Sequence, residues 1–520
     1  MAVTVTYSLN FVKNLDLPSG PATRDPDATS LANGGFAVSG TIGTNSTLDI
    51  FDAGAGIAGS SSPVTGILSA VDQISNGNIV VAAWDSSSAR FDIKTPAGGH
   101  VTSANLGVND FYPDVAALTG GTFWIAGDGL NEVHISRRNN DGSPISAFSV
   151  FPGSPSEIRA SVAGLDNGGA AVTWRRTDGQ HKVWYAVYDA AGGVVQAPAL
   201  IATGSIATQP SMSATSDGFA IAFMDIGLGT GSYDISLVTF GFGGNVLRVS
   251  NVSNPGSGPD APADFAPSVA RLSNGYLAVA YSRTAGANAD DTLVALVDPA
   301  TGGVLATRNV VGGEPGSDDV AAPTVAGFKN GGIAVFHENF TDGDVDGEHL
   351  QAQRTSTGDA AANVINGDGI ADVMSGLDGN DILRGFAGDD RLLGGGGKDT
   401  INGGLGRDIL AGGGGGDEFV YKATADSGLT GLTSDRILDF VHLTDKINLT
   451  AIDAKTSTPG NDTFLFRGTL GFTGEGQVRV VQSGANTLVH INTTGASGAE
   501  MTIQLDKINA SSLTLADFFM

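Results

Sequence analysis

Six aspartates recur at nine-residue intervals: Asp372, Asp381, Asp390, Asp399, Asp408 and Asp417. Each is set in a glycine-rich frame and followed two places on by an apolar residue: Met374, Leu383, Leu392, Ile401, Leu410 and Phe419. The chemistry open to such a frame is ligation of a hard cation. Carboxylates and peptide carbonyls offer oxygen alone, the donor set that suits calcium. The glycines Gly376, Gly379, Gly385, Gly388, Gly394, Gly397, Gly403, Gly406, Gly412 and Gly415 allow tight turns that aim their carbonyls inward. The apolar residue makes a short strand and buries its side chain under the next turn of chain.

Three copies, GGGGKDTIN, GGLGRDILA and GGGGGDEFV, follow the form GGxGxDxUx closely. Earlier copies drift: Leu377 and Phe386 replace the second glycine, and Ile370 replaces the third in the first copy. A flexible Gly/Asp linker has a similar composition, but it has no reason to hold a nine-residue phase. The stretch resembles the RTX family of proteins exported by type I secretion. That resemblance implies a parallel β-roll over residues 358–420, with two nonapeptides to a coil. Asp381 should then face Asp399 across a calcium ion, Asp390 should face Asp408, Asp399 should face Asp417, and Asp372 should face Asp390. It also implies an uncleaved C-terminal export signal and contact with the type I machinery.

Charge and composition agree with that expectation. The chain has 54 acids against 27 bases and no cysteine. A net charge of −27 argues against nucleic acid or an anionic membrane surface as partner. Without cations the acidic repeat should repel itself, so metal binding and folding should be one event. Met1 to Asn10 read MAVTVTYSLN, with neither a positive start nor a continuous apolar core, so no N-terminal leader is expected. No run approaches the roughly 18 apolar residues of a membrane span. The end of the chain, LTLADFFM, sets one acid among hydrophobics, as type I signals do by resemblance. The expected location is secreted, extracellular or on the cell surface.

A longer repeat fills residues 1–357. Phrases such as LANGGFAVSG, LDNGGAAVTW and LSNGYLAVAY recur, their first glycines at Gly34, Gly77, Gly120, Gly168, Gly218, Gly275 and Gly331. Asn/Asp-Gly turns between strand-like runs are hairpin signals. A second turn follows each phrase, as at Gly192-Gly193 and Gly302-Gly303. Two hairpins make four strands, and seven phrases predict a seven-bladed β-propeller. The last blade lacks a strand, and Val3 to Leu9 alternates with period two, so this N-terminal strand is expected to complete it. Units of this length are too short for Ig-like sandwiches, which need about 100 residues. The expected class is therefore all-β: propeller, calcium-binding roll and a C-terminal β cap over residues 421–520.

The run from Gly416 to Tyr421, with Asp435 to Phe440 and Asp445 to Leu449, resembles the C-terminal domain of serralysin-type secreted proteases. Their zinc motif is absent, because His337-Glu338 has no histidine at position 341. Asp435 and Asp439 are further candidate calcium ligands or turn caps, and Asp342 to Gly347 has the shape of half a calcium loop. Trp84, Trp174, Phe223 and Tyr281 recur after the phrase strands, as sugar-stacking aromatics or, more commonly, packing between blades. No catalytic motif appears. The expectation is a non-catalytic calcium-binding protein of the surface or matrix, with no catalytic residues. Cell-surface polysaccharide or copies of itself are the expected partners. These would meet the loops at Gly227 to Tyr233, Ala285 to Asp291 and Thr341 to Glu348. The alternative is a secreted hydrolase with its site at the propeller centre.

Overall fold

The structure is a computed structural model. It describes residues 3–16, 23–42, 45–52, 56–65, 67–84, 88–108, 111–118, 120–128, 132–150, 157–176, 182–201, 207–226, 233–253, 263–284, 290–311, 323–328, 331–339, 344–495 and 498–520. Most of the three candidate contact loops, including Asp342, lies outside these residues. The chain forms two compact units. One is Leu9–Gln351, and the other joins Met1–Ser8 to Ala352–Met520. Among the described residues no helix is long and apolar enough to cross a membrane.

The first unit is built by the repeated phrase. At the described Asn-Gly turns of the phrase the asparagine side chain accepts a backbone N–H two residues on, as Asn33 does from Gly35 and Asn167 from Gly169, both at 3.0 Å. The glycine that follows takes a positive φ, 87° at Gly34 and 84° at Gly168, which a β-branched residue could not hold cheaply. The flanking strands pair antiparallel, and the second turn adds another hairpin. Six four-stranded sheets result, over residues 23–65, 67–108, 111–150, 157–200, 207–251 and 264–311, arranged as a propeller-like ring.

Among the described residues the count is six, not the expected seven. The seventh phrase does make strands Thr324–Phe328 and Gly332–Asn339, and Thr324–Phe328 packs between the first and sixth sheets. These strands form no free-standing sheet. They pair on into Asp344–Thr357, whose last residues run parallel to Ala371–Asp378, so they belong to a twelve-stranded sheet. The N-terminal strand Thr4–Asp16 pairs with Asp344–Thr357, as its alternation predicts.

Each sheet buries its faces on its neighbours. Trp124 of the third sheet and Trp174 of the fourth share one cluster. Tyr185 of the fourth packs on Phe219 and Phe240 of the fifth, which stack at 4.7 Å. Phe36 and Phe51 pack against Phe328 and Phe336. Trp174 and Phe223 are fully buried in these clusters, and Tyr281 is buried in another between the fifth and sixth sheets, so the recurrent aromatics pack sheets together; Trp84 is half-buried.

In the second unit short parallel strands alternate between two sheets. Ala371–Asp378, Arg391–Gly396, Ile409–Gly414 and Asp435–Ile437 stack in one, and Val364–Asn366, Ile382–Ala387, Thr400–Leu405, Glu418–Val420 and Lys446–Asn448 in the other. Eighteen residues separate register partners in the regular part, Met374 from Leu392 and Leu383 from Ile401, so two nonapeptides do make a coil. The apolar residue of every copy is buried between the sheets. That core continues without a break through Tyr421, Ile437, Ile447 and Phe518 into the antiparallel strands Gln477–Ser483, Asn486–Asn492 and Met501–Leu505.

Candidate metal centre

The six repeat aspartates form two files along the roll, one on each side. In each file the backbone N–H of one aspartate donates to Oδ1 of the aspartate eighteen residues on. Asp372 donates to Asp390 at 2.8 Å, Asp381 to Asp399 at 2.7 Å, Asp390 to Asp408 at 2.9 Å and Asp399 to Asp417 at 2.9 Å. Aspartates eighteen residues apart are therefore neighbours in each file, and their direct link is a charge-assisted hydrogen bond that fixes each carboxylate's orientation.

That bond leaves the other oxygen. Oδ2 of Asp381, Asp390, Asp399, Asp408 and Asp417 is buried with no hydrogen-bond partner among the described residues. A buried charged oxygen without a partner is costly, and a row of them in register asks for a cation. The glycines shape the space for one. A side chain at Gly376 would collide with Asp381 Oδ2 and the Gly394 carbonyl, and one at Gly385 with Asp390 Oδ2 and the Gly403 carbonyl. Gly394 stands in the same relation to Asp399 and Gly412, while Gly403 and Gly412 lie against Oδ2 of Asp408 and Asp417. The third glycines, Gly379, Gly388, Gly397, Gly406 and Gly415, hold φ between 120° and 138°, where only glycine is comfortable. Carboxylate and carbonyl oxygens around a side-chain-free cradle fit calcium.

Electrostatics say the same. Burial, reinforced by the charge of Asp408, pushes the Asp390 carboxyl up to about 10. Burial lifts Asp408 to about 8 and Asp399 to about 6, and raises Asp417. Acids packed this way ionise together only when positive charge sits among them.

The files run past the repeat. Asp408 donates to Asp435 Oδ1 at 2.9 Å and Asp417 to Asp445 Oδ1 at 3.0 Å, across intervals of 27 and 28 residues. Asp435 is another buried carboxylate of the file, and it faces the buried Tyr421 hydroxyl. Asp439 instead caps a turn, accepting the N–H groups of Gly412 and Gly413. The signal for the extension is Asp-x-apolar, kept in Asp435-Arg436-Ile437 and Asp445-Lys446-Ile447 after the phase breaks.

Sequence reasoning missed a further coil before the repeat. Asn363 and Ile365 keep the aspartate and apolar positions of the phase, and Asn363 N–H donates to Asp381 Oδ1 at 2.7 Å. It also missed the acids of the ring. Asp27, Asp72 and Asp114 line a channel of about 300 Å³ together with Ser161, Ser211 and Ser268. Each carboxylate accepts an N–H from the next sheet: Asp27 from Val71, Asp72 from Ala117, and Asp114 from Val162, at 2.7–2.8 Å. Ser211 and Ser268 serve Val269 and Val325 in the same way, each at 3.2 Å.

Residues 355–519 match the family model described as Peptidase M10 serralysin C terminal. No curated protein matches the chain. Among solved structures, a protein of unknown function from Dyadobacter fermentans is 12% identical, with TM-score 0.42, over 66% of this chain and 98% of that one. The AlgE6R3 subunit of the Azotobacter vinelandii mannuronan C5-epimerase is 29% identical, with TM-score 0.17, over 31% of this chain and 79% of that one. TolB from Acinetobacter baumannii is 13% identical, with TM-score 0.34, over 60% and 65% of the respective chains. The match that carries weight is to the serralysin C-terminal family, and it spans the parallel strands, both aspartate files and the strands that follow them.

Proposed function

We propose that this is a secreted, calcium-binding, non-catalytic protein of the cell surface or extracellular matrix, whose roll folds on calcium after export. The observation that carries the calcium reading is the row of buried Oδ2 atoms without partners, each beside a glycine cradle. Asp381, Asp390, Asp399, Asp408, Asp417 and Asp435 would hold the ions with carbonyls of the facing glycines. The metal would supply charge neutralisation, and the chain would supply geometry. Extracellular calcium is millimolar, high enough to fill weak sites that stay empty in the cytosol. An acidic chain that stays open inside the cell and closes outside suits export through a type I system, with the signal in residues 421–520.

The ring of sheets would serve as a rigid platform for binding a cell-surface polysaccharide or another copy of the chain, through its polar loops. Native mass spectrometry of the purified chain should find several bound calcium ions that a chelator strips. Glycan arrays should then show binding that no turnover accompanies. A chain that binds no calcium at millimolar concentration contradicts the calcium reading.

A second reading is a hydrolase at the centre of the ring. It is favoured by the channel acids, since burial, with the charge of Asp114, pushes Asp27 up to about 8, and burial takes Asp114 to about 6. Those values suit proton transfer near neutral pH. The hydrogen bonds from the next sheet account for the same acids structurally, so the non-catalytic reading stands first. Hydrolysis of a glycan, phosphoester or peptide that D114N abolishes, with the fold intact, would reverse that order.

A further inference from the structure

The first rung of the roll differs from those that follow. Asp372 is as buried as the other repeat aspartates, yet both its oxygens have partners. Oδ1 accepts from Arg354 Nη1 at 3.1 Å, and Oδ2 accepts the backbone N–H of Asp368 at 2.9 Å. Its Oδ2 is thus satisfied, where Asp381, Asp390, Asp399, Asp408 and Asp417 each leave theirs bare.

The arginine is in phase. Arg354 stands eighteen residues before Asp372, one coil, and the two are register partners in the parallel pairing of Asp344–Thr357 with Ala371–Asp378. In later coils the residue at that interval is another aspartate, which donates only its backbone N–H. Here a guanidinium stands in the file instead. It is held from two sides, since its Nε lies 4.0 Å from Asp368 Oδ2, and Asp368 Oδ2 also takes the Tyr7 hydroxyl at 3.5 Å. The Arg354 side chain is only 12% exposed, so this positive charge is spent inside the fold rather than in solvent.

A dication brought to the Asp372 carboxylate would find Oδ2 already bonded to the Asp368 N–H and a guanidinium on Oδ1, with little water to screen the repulsion. An arginine fork also satisfies a carboxylate directionally without any metal. We propose that Arg354 takes the place of calcium at the first rung. Asp372 is then no metal ligand, and the roll begins with one coil closed by a tethered cation. That coil forms without calcium and gives the second coil a preformed edge on which to stack when metal arrives. Helical and coiled repeats pay most for their first turn, so a metal-independent first rung lowers the calcium concentration at which the rest can close.

This inference rests on the calcium reading above, and the experiment separates the two. The full chain, D372N and D399N would be loaded with calcium and their bound ions counted by native mass spectrometry. D372N is expected to carry as many ions as the parent, and D399N fewer. In parallel, calcium would be titrated into the metal-stripped full chain and its R354Q variant while the β signal is followed by circular dichroism. The midpoint for R354Q is expected to rise about tenfold, the factor that corresponds to about 1.4 kcal/mol. Loss of an ion from D372N, or an R354Q midpoint equal to the parent's, overturns the inference while leaving the calcium reading intact. A parent chain that binds no calcium overturns both.

Discussion

The two units bury aspartate in opposite ways. In the ring of sheets, Asp27, Asp72 and Asp114 accept N–H groups from the next sheet, so the protein itself completes their bonding and the carboxylates tie one sheet to its neighbour. In the roll, each repeat carboxylate from Asp381 to Asp417 gives one oxygen to a backbone N–H and leaves the other buried and bare. The first arrangement is finished by the chain. The second leaves one oxygen of each carboxylate unanswered by the chain. The contrast extends to the cores, because the ring packs large aromatics sheet against sheet, whereas the roll has a single file of Met, Leu, Ile and Phe under glycine turns. On the proposed calcium reading, a difference of this kind makes the ring independent of metal and the roll dependent on it.

Removing metal is the strongest way to break the comparison. In excess chelator, residues 360–440 should become protease-sensitive while the six antiparallel sheets survive, as read by mass-mapped limited proteolysis. Equal resistance of both units with and without chelator would erase the distinction. A single methyl group should reproduce much of that loss: Gly394→Ala sets a side chain against Asp399 Oδ2 and the Gly412 carbonyl. Its calcium midpoint should rise about tenfold or more, since about 1.4 kcal/mol suffices for that factor, with no effect on the melting of the ring.

The ring is sharpened by the converse change. Trp174→Ala should destabilise it by about 3–5 kcal/mol, the usual cost of emptying a buried aromatic site, and added calcium should not restore it. Urea unfolding followed by the remaining tryptophans measures this. A smaller effect is expected from pH. Burial raises Asp27 to about 8, Asp114 to about 6 and Asp72 above the ordinary 3.8. The folded ring therefore binds more protons than the unfolded chain between about pH 4 and 8, so its stability falls as pH rises through that window and levels off above it. Calorimetry in calcium-free buffer should show a lower melting temperature at pH 8.5 than at pH 5. The smallest change is Ser211→Ala, which removes one bond between sheets and should cost about 1 kcal/mol.

Much of this was legible in the residues. The nine-residue phase gave the two-sheet roll, the burial of Met374 to Phe419 and the pairing of aspartates eighteen apart, because a short period fixes local geometry wherever the coil lies. The Asn-Gly phrases gave the hairpins, through side-chain bonds that span only two residues. The count of free-standing sheets was not legible. Repeats count strands, but whether the last set closes on itself depends on what Asp344–Thr357 pairs with, and that partner is Ala371–Asp378.

The sequence alone determined an all-β chain with a nine-residue aspartate repeat, because turn chemistry and side-chain period are local properties. The tertiary structure decided which acids are bare and which are answered. Asp372 and Asp399 stand at the same position of the nonapeptide, yet one meets Arg354 and the other has a buried oxygen with no partner. Asp27 meets Val71, 44 residues away, across a sheet boundary that no local pattern marks. A carboxylate's role depends on the groups that reach it in space, and those arrive from any distance along the chain.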